Sequence, residues 1–230
     1  MKNIVFDTGP IITLTMNNLL WILKSLKEKG NVNFYITDSV KKELVDNPLN
    51  RTMRYKFEAL QVLKYIEEGI LEVVDNNEIS AQSQKLLSLA NNCFNAFGNN
   101  MNIVHEAEMS AIALYLQKKA DALVVDEKTT RLLIENSKKL HIIINHNLHT
   151  KVEIDKDNLK EILKITKNVK IIRSVELAAI AYEKGFLDGY LAHIDNPREI
   201  LLESVLWGFK LNGCAVTRRE IEQMVRTEIA

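Results

Sequence analysis

The 230-residue sequence is poor in the residues that mark several common protein classes. Its two cysteines, Cys93 and Cys214, are too few for a disulfide scaffold, so we expect a cytoplasmic protein in a reducing environment. No apolar run is long enough to span a membrane, and the first residues lack the charged start and apolar centre of a signal peptide. We therefore expect neither membrane association nor a secretory leader.

Glycine loops and zinc-like clusters are missing as well. The eight glycines form no phosphate-binding motif. His141, His146 and His149 lie close together, but no cysteine or acidic residue completes a zinc-like spacing, and we predict a surface turn after a strand there. Because 30 basic residues balance 30 acidic ones, net charge neither favours nor excludes a nucleic-acid partner.

The most informative residue is Asp7. Residues 3–6 form a short apolar run typical of a buried parallel strand, and Gly9 and Pro10 break the strand just after Asp7. In open α/β sheets, ligands bind in the crevice beyond the carboxyl ends of the strands. Asp7 is thus a candidate site residue, although a lone aspartate before Gly-Pro more commonly caps a turn.

A second apolar run, residues 122–125, also ends on a carboxylate, Asp126. Two such strands can bring Asp7 and Asp126 together at one edge of a parallel sheet. Like charges crowded in a cleft are unfavourable unless protons or cations neutralise them, and Mg²⁺ and Mn²⁺ take oxygen ligands. The pair therefore indicates a metal site.

Glutamates on two predicted helices extend this set. After a predicted strand, with Asp38 or Ser39 as the helix N-cap, Val40, Glu43 and Leu44 share one helix face, so Glu43 lies on the inward side.

The other helix begins near Glu106, and Glu108 borders its apolar stripe. Favourable placement near the positive end of the helix dipole is the alternative role for Glu106 and Glu108.

The four acids follow strand, helix, helix and strand in that order, and the sequence around them resembles the PIN-domain family of metal-dependent ribonucleases, which includes the VapC-type toxins. Residues 5–12 resemble the family's first strand and turn, residues 106–114 its third acidic motif, and residues 123–127 its fourth-strand motif. The match is closest to a prokaryotic subgroup with a helical C-terminal extension. His105 replaces a usual glycine of that subgroup, and residues 145–168 are extra sequence.

The resemblance implies a three-layer α/β/α fold with a central parallel sheet. Residues 1–145 would form the PIN-like nuclease domain, and residues 146–230 an insertion and a helical C-terminal extension packed on it. It also implies a catalytic set that binds one or two Mg²⁺ or Mn²⁺ ions and hydrolyses phosphodiester bonds of single-stranded RNA. The members of that set are Asp7, Glu43, Glu108 and Asp126. Thr8 and Glu106 would be auxiliary residues.

Basic residues near the acids are candidates for binding RNA phosphates. Arg131 is the strongest, because it lies about one turn beyond the strand that ends at Asp126, and Lys128 is its neighbour. Further candidates are Arg51, Arg54 and Lys56. Ordinary helix-surface charge is the alternative for each of them. An antitoxin-type protein and a second copy of the chain are further expected partners.

The remaining segments predict alternating helices and strands. The predicted strands are 33–37, 70–74, 122–126 and 142–144. The predicted helices outside the acidic motifs are 17–29, 53–68, 78–92, one from the end of strand 122–126 to about residue 138, 175–183, 197–211 and 217–227. The asparagine-rich segment 91–100 is predicted to be a mobile loop. The tail helices could complete the core, pair subunits or restrict the cleft.

Two other functions are open. A non-catalytic RNA- or protein-binding module could keep the same fold, although the presence of all four acids favours an enzyme. The segment 6–9 also resembles the aspartyl-phosphate phosphatases of the haloacid dehalogenase class. Those enzymes need a second aspartate two positions after the nucleophile, where this chain has Gly9, and this disfavours a phosphatase.

Overall fold

The computed structural model describes residues 1–51 and 54–229. The strands are β1 (Lys2–Phe6), β2 (Val32–Thr37), β3 (Leu71–Val74), β4 (Phe94–Ala96), β5 (Asn99–Asn100), β6 (Ala122–Val124), β7 (Glu153–Ile154) and β8 (Ile171–Ile172). The helices of the first half are α1 (Thr8–Met16), α2 (Ile22–Gly30), α3 (Asp38–Lys41), α4 (Asn47–Arg51), α5 (Lys56–Glu67), α6 (Asn77–Asn91) and α7 (Glu106–Lys118). A π-helical turn, Lys42–Asp46, joins α3 to α4. The later helices are α8 (Lys128–Glu135), α9 (Ser137–Leu148), α10 (Lys156–Thr166), α11 (Ser174–Glu183), α12 (Pro197–Leu211) and α13 (Arg218–Ile229).

The central sheet has five strands in the order β3-β2-β1-β6-β8, and every pairing in it is parallel. β1 is the middle strand, with Ile4 opposite Phe34 on one side and Ala122 on the other. Since alternate side chains of a strand point to opposite faces, Phe6 and Val5 enter two different hydrophobic cores. Helices cover both faces, and the predicted three-layer α/β fold is confirmed.

The first helix differs from its prediction. The segment predicted as one helix from residue 17 to 29 is mostly α2, and α1 begins directly after Asp7. Pro10 lies in the first turn of α1, where its missing N–H group costs no helical hydrogen bond. The predicted helix start at Met53 lies outside the described residues, and α5 begins at Lys56.

Residues 142–144 are not a strand but part of α9. Asn136 caps this helix by accepting a hydrogen bond from the backbone N–H of Lys139 at 3.0 Å. Leu140 and Ile144 are buried one turn apart whereas Ile142 is 65% exposed, which is helical rather than strand periodicity. The three histidines consequently lie on α9 or at its end, not in a turn after a strand.

The asparagine-rich segment forms a hairpin of β4 and β5, and β7 pairs with β4 on the other side. Phe97 and Gly98 make the turn with positive φ angles of 54° and 79°. The Asn91 side chain accepts hydrogen bonds from the backbone N–H groups of Ile103 and Val104. These bonds tie the segment to the body, and its hairpin differs from the loop that was predicted.

The C-terminal helices complete the core on one face of the sheet. Leu202, Leu206 and Phe209 of α12 are fully buried in the cluster that also contains Phe6 and Ile11. All three predicted tail helices are present within a few residues of their predicted bounds. β8 supplies an edge strand of the central sheet from beyond residue 145, and the domain boundary proposed there stays a prediction.

No helix in the described ranges is long and apolar enough to cross a membrane. Cys93 and Cys214 are both buried and unpaired.

Candidate active site

Asp7 lies at the carboxyl end of the middle strand and precedes the first turn of α1. Its side chain is 3% exposed, and within the described residues its Oδ1 atom has no hydrogen-bond partner. The pKa of Asp7 is raised to about 8, chiefly by burial and further by the negative charges of Glu108, Glu43 and Asp126. The hydrogen bond from the backbone N–H of Thr8 acts in the opposite direction and lowers the pKa. The site thus favours a proton or a cation at this carboxyl.

Asp126 follows the neighbouring strand and is held rigidly. Its Oδ1 accepts a hydrogen bond from the backbone N–H of Ser174 at 2.8 Å. Its Oδ2 accepts two more, from the hydroxyls of Ser174 at 2.7 Å and Thr13 at 2.9 Å. Asp7 donates its own backbone N–H to the Val124 carbonyl at 3.1 Å, so the two strand ends lie side by side.

Glu43 lies in the π-helical turn, on the solvent-facing side of the acidic group. Its Oε2 accepts a hydrogen bond from the Thr8 hydroxyl at 2.7 Å, so Thr8 positions Glu43. The helix that leads to Glu43 is capped by Thr37, which accepts a bond from the Val40 N–H at 3.2 Å. The cap is therefore neither Asp38 nor Ser39, as the sequence pattern had indicated.

Glu108 is partly buried in the first turn of α7. Its pKa is raised by burial first and also by Glu127 and Glu43, while the hydrogen bond from the backbone N–H of His105 and the charge of His105 oppose the rise. Glu106 is exposed and lines a separate polar cavity at the rim.

The two predicted phosphate-binding residues lie differently. Lys128 is exposed in the first turn of α8. Arg131 points toward the C-terminal segment, where its Nη2 donates to the Ala215 carbonyl at 3.4 Å. In this arrangement Arg131 supports the tail.

Sequence reasoning missed Ser174 and Thr13, which orient Asp126. Ser174 could have been predicted from the sequence, because it lies two residues after Ile172, just as Asp126 lies two residues after Val124. Thr13 carried no such signal, since a threonine within a helix does not reveal a bond to a residue over a hundred positions away.

The four acids offer a possible metal ion only carboxylate oxygens, the ligands that Mg²⁺ and Mn²⁺ take, and the unpaired Oδ1 of Asp7 is a buried acceptor without a donor among the described residues. Across the described ranges, however, no three His, Cys, Asp or Glu side chains already form an arrangement that could hold a metal. Protein N–H and O–H groups occupy oxygens of Asp126, Glu43 and Glu108. The chemistry of these carboxylate oxygens therefore fits a hard cation such as Mg²⁺ or Mn²⁺.

The parallel α/β sheet places two buried aspartates at the carboxyl ends of adjacent strands, the edge at which open α/β folds bind ligands. Comparison with protein families gives the class: the DUF3368 family model of PIN domains, a nuclease-type fold, matches residues 3–144, more than half of the chain. The chain therefore belongs to the PIN-domain family, whose members are generally nucleases. Searches of curated proteins and of solved structures gave no match.

Proposed function

We propose that the protein is a Mg²⁺- or Mn²⁺-dependent endoribonuclease that hydrolyses phosphodiester bonds of single-stranded RNA. The observation that carries the proposal is the Oδ1 atom of Asp7, a buried carboxylate oxygen without a partner among the described residues. Burial raises the pKa of Asp7 and three further carboxyls add to the rise, and a bound cation relieves both effects.

Asp7, Glu43, Glu108 and Asp126 are the residues that would hold the ion. A divalent ion bound by oxygen ligands supplies a nucleophilic water at neutral pH and offsets negative charge that develops on a phosphodiester. Glu106, at the rim, would be an outer ligand, and Thr8 keeps Glu43 turned toward the centre.

The residues of the protein contribute to the reaction by orienting the carboxylates and by neutralising the charge of an RNA phosphate. Ser174 and Thr13 fix both oxygens of Asp126, so that this carboxylate needs little reordering when substrate arrives. Glu43 is exposed, which opens the acidic group to an incoming strand. Lys128, at the surface beyond Asp126, is available for an RNA phosphate. A flexible single strand enters such a cleft more readily than a stiff duplex.

A specific observation supports a second candidate, a non-catalytic module that binds RNA or protein. No group of three potential metal ligands is pre-arranged in the described part of the chain, and the Asp126 carboxylate already accepts three hydrogen bonds, from Ser174 and Thr13. A binding module would keep the acids as structural acceptors, and it would not respond to divalent ions.

Cleavage of a labelled single-stranded RNA by purified protein distinguishes the two. We expect cleavage with Mn²⁺ or Mg²⁺, none in EDTA, and a loss of at least about 100-fold in Asp7→Asn and Asp126→Asn. Glu135→Gln, which changes an exposed carboxylate at the end of α8, is the matched control and should cleave normally. Tight RNA binding without cleavage under any metal would replace the enzyme with the binding module.

A role as a toxin with an antitoxin-type partner, a homodimer and a cytoplasmic location stay predictions of the sequence.

A further inference from the structure

An apolar pocket lies directly beside Glu43, between α1, the π-helical turn and α5. Its apolar lining comes from Ile12, Leu44, Pro48, Tyr55 and Val62. Its cavity volume is about 60 Å³, several times the roughly 10–15 Å³ that one water molecule needs and well below the range for drug-sized ligands, so it has room for a single small planar group. Nothing in the hydrolytic chemistry of the four acids uses this pocket.

Tyr55 lies at the mouth of the pocket. Its ring is 52% exposed, and its backbone has φ 63° and ψ 18°, a left-handed conformation that bulky residues seldom adopt. The conformation is held where α5 begins, with the Tyr55 carbonyl accepting a hydrogen bond from the Ala59 N–H at 2.9 Å. The Tyr55 ring is therefore exposed to solvent on a backbone whose conformation costs conformational free energy. Strained backbone of this kind is common at ligand-binding sites.

The other side of Glu43 has the opposite character. A polar cavity there is lined by Lys42, Arg51 and Glu106. Lys42 is paired with Asp38 at 2.7 Å. Arg51 is exposed, and its side chain forms no ion pair within the described ranges. Glu43 thus lies between the apolar pocket, which Tyr55 borders, and the polar cavity, which the guanidinium group of Arg51 lines.

A nucleotide has two parts of the same kinds: a base that can stack in an apolar pocket and an anionic phosphate that can bind a guanidinium group. Aromatic side chains bind single-stranded nucleic acid by stacking on bases, and arginine binds phosphate through paired N–H donors. The two cavities share Glu43 as a lining residue and are therefore neighbours, as a base and the phosphate of one nucleotide are.

We propose that the pocket at Tyr55 takes one unstacked nucleobase of the substrate strand and that Arg51 binds an adjacent phosphate. The proposal deepens the proposed function, on which it rests: RNA is held by a base on one side of the acidic group and by its backbone on the other. The enzyme would then cleave next to an unpaired base and act poorly where the base is missing.

Binding can be measured without catalysis in the Asp7→Asn background with Mg²⁺, using a fluorescein-labelled single-stranded RNA octamer and anisotropy. Tyr55→Ala should weaken binding about tenfold, and Tyr55→Phe, which keeps the stacking face, should restore it. Ile12→Ala, which changes another residue that lines the pocket, should also weaken binding. The matched control is Phe57→Ala, because Phe57 is a neighbouring aromatic residue, 70% exposed, that does not line the pocket.

An octamer with abasic positions sharpens the test. It should bind the Asp7→Asn protein about tenfold more weakly than the intact octamer, and Tyr55→Ala should then cost nothing further. Arg51→Gln should weaken both octamers equally, since it contacts phosphate. Equal affinity of Tyr55→Ala and the Asp7→Asn parent for intact RNA overturns the base site.

The outcomes separate this proposal from the proposed function. Cleavage by wild type with an unchanged KM in Tyr55→Ala keeps the nuclease and removes the base site. A tenfold Tyr55 effect on binding without any cleavage keeps the base site and removes the nuclease. If light scattering shows a wild-type dimer that Tyr55→Ala converts to monomer, a second copy of the chain occupies the pocket, and the base assignment is overturned.

Discussion

Ser174 donates two hydrogen bonds to Asp126, one from its backbone N–H to Oδ1 at 2.8 Å and one from its hydroxyl to Oδ2 at 2.7 Å. Ser174 begins α11, beyond the end of the family match at residue 144. The Ala215 N–H also donates to the Asp126 carbonyl at 3.1 Å. The C-terminal part of the chain therefore helps to build the acidic site as well as the core.

Ser174→Ala tests this positioning role. It removes the hydroxyl bond and keeps the backbone bond, so we expect kcat to fall roughly 10-fold while KM changes little, with a stability loss of about 1 kcal/mol. Ser174→Thr keeps a hydroxyl and should recover most of kcat, which a packing effect alone would not produce. Ser80→Ala, an exposed serine on α6, is the control. An unchanged kcat in Ser174→Ala would show that Asp126 needs no such support.

The raised pKa of Asp7 makes the apo protein depend on pH. The folded-state pKa of about 8 exceeds the ordinary value of 3.8, so the folded protein binds more protons between those pH values. The stability contributed by this carboxyl is complete below about pH 4 and is lost as pH rises toward 8. Asp7→Asn keeps the side chain neutral, and in EDTA at pH 8 it should be more stable than wild type by over about 1 kcal/mol.

Urea unfolding at pH 5 and pH 8 measures this difference. The gap between wild type and Asp7→Asn should widen with pH, whereas Glu135→Gln should show no such trend. A gap that is constant with pH would mean that Asp7 is ionised and compensated in the folded protein.

The positions of the four candidate acids on their strands and helices were predictable from local rules. Asp7 and Asp126 end apolar strands, and strand ends meet at one edge of a parallel sheet. Glu43 and Glu108 followed from helical spacing, and the charges of both raise the pKa of Asp7. Local patterns sufficed because each of these positions depends on its own strand or helix and on the parallel sheet.

The errors arose where distant contacts or caps decide the structure. The isoleucine run at 142–144 suits a strand or a helix equally, and the cap at Asn136 selects the helix. The guanidinium of Arg131 contacts a carbonyl 84 residues further along the chain, which its local sequence does not indicate, and its role in binding RNA stays a prediction. The contacts of Ala215 with Arg131 and with Asp126 have no local sequence signal.

Arg173 links the tail to the sheet through Glu220. Its Nη1 donates to Glu220 Oε1 at 2.8 Å and to the Ala215 carbonyl at 3.1 Å. Burial would raise the pKa of Glu220, but the hydrogen bonds from Thr217 and the interaction with Arg173 lower it to about 2. A lowered folded-state pKa contributes stability above the ordinary value near 4.5, and that stability is lost as pH falls toward 2.

Glu220→Gln should therefore melt at a lower temperature than wild type at pH 7, and the difference should shrink as the pH approaches 2. Differential scanning calorimetry at several pH values measures this, with Glu135→Gln as the control. Equal melting temperatures at pH 7 would show that the Arg173 contact adds nothing to the attachment of the tail.

Metal binding should release protons because it acts on the carboxyl with the raised pKa. At pH 7 the apo protein carries a proton on Asp7 in most molecules, and a divalent cation displaces it. Calorimetric titration with Mn²⁺ in buffers of different ionisation enthalpy should report nearly one proton released per site, falling toward zero at pH 9.5.

Mn²⁺ should also raise the melting temperature in a concentration-dependent way. Asp7→Asn should lose both responses and Glu135→Gln should keep both. Equal responses in wild type and Asp7→Asn would place the metal away from Asp7 and remove the main support for a metal-dependent nuclease.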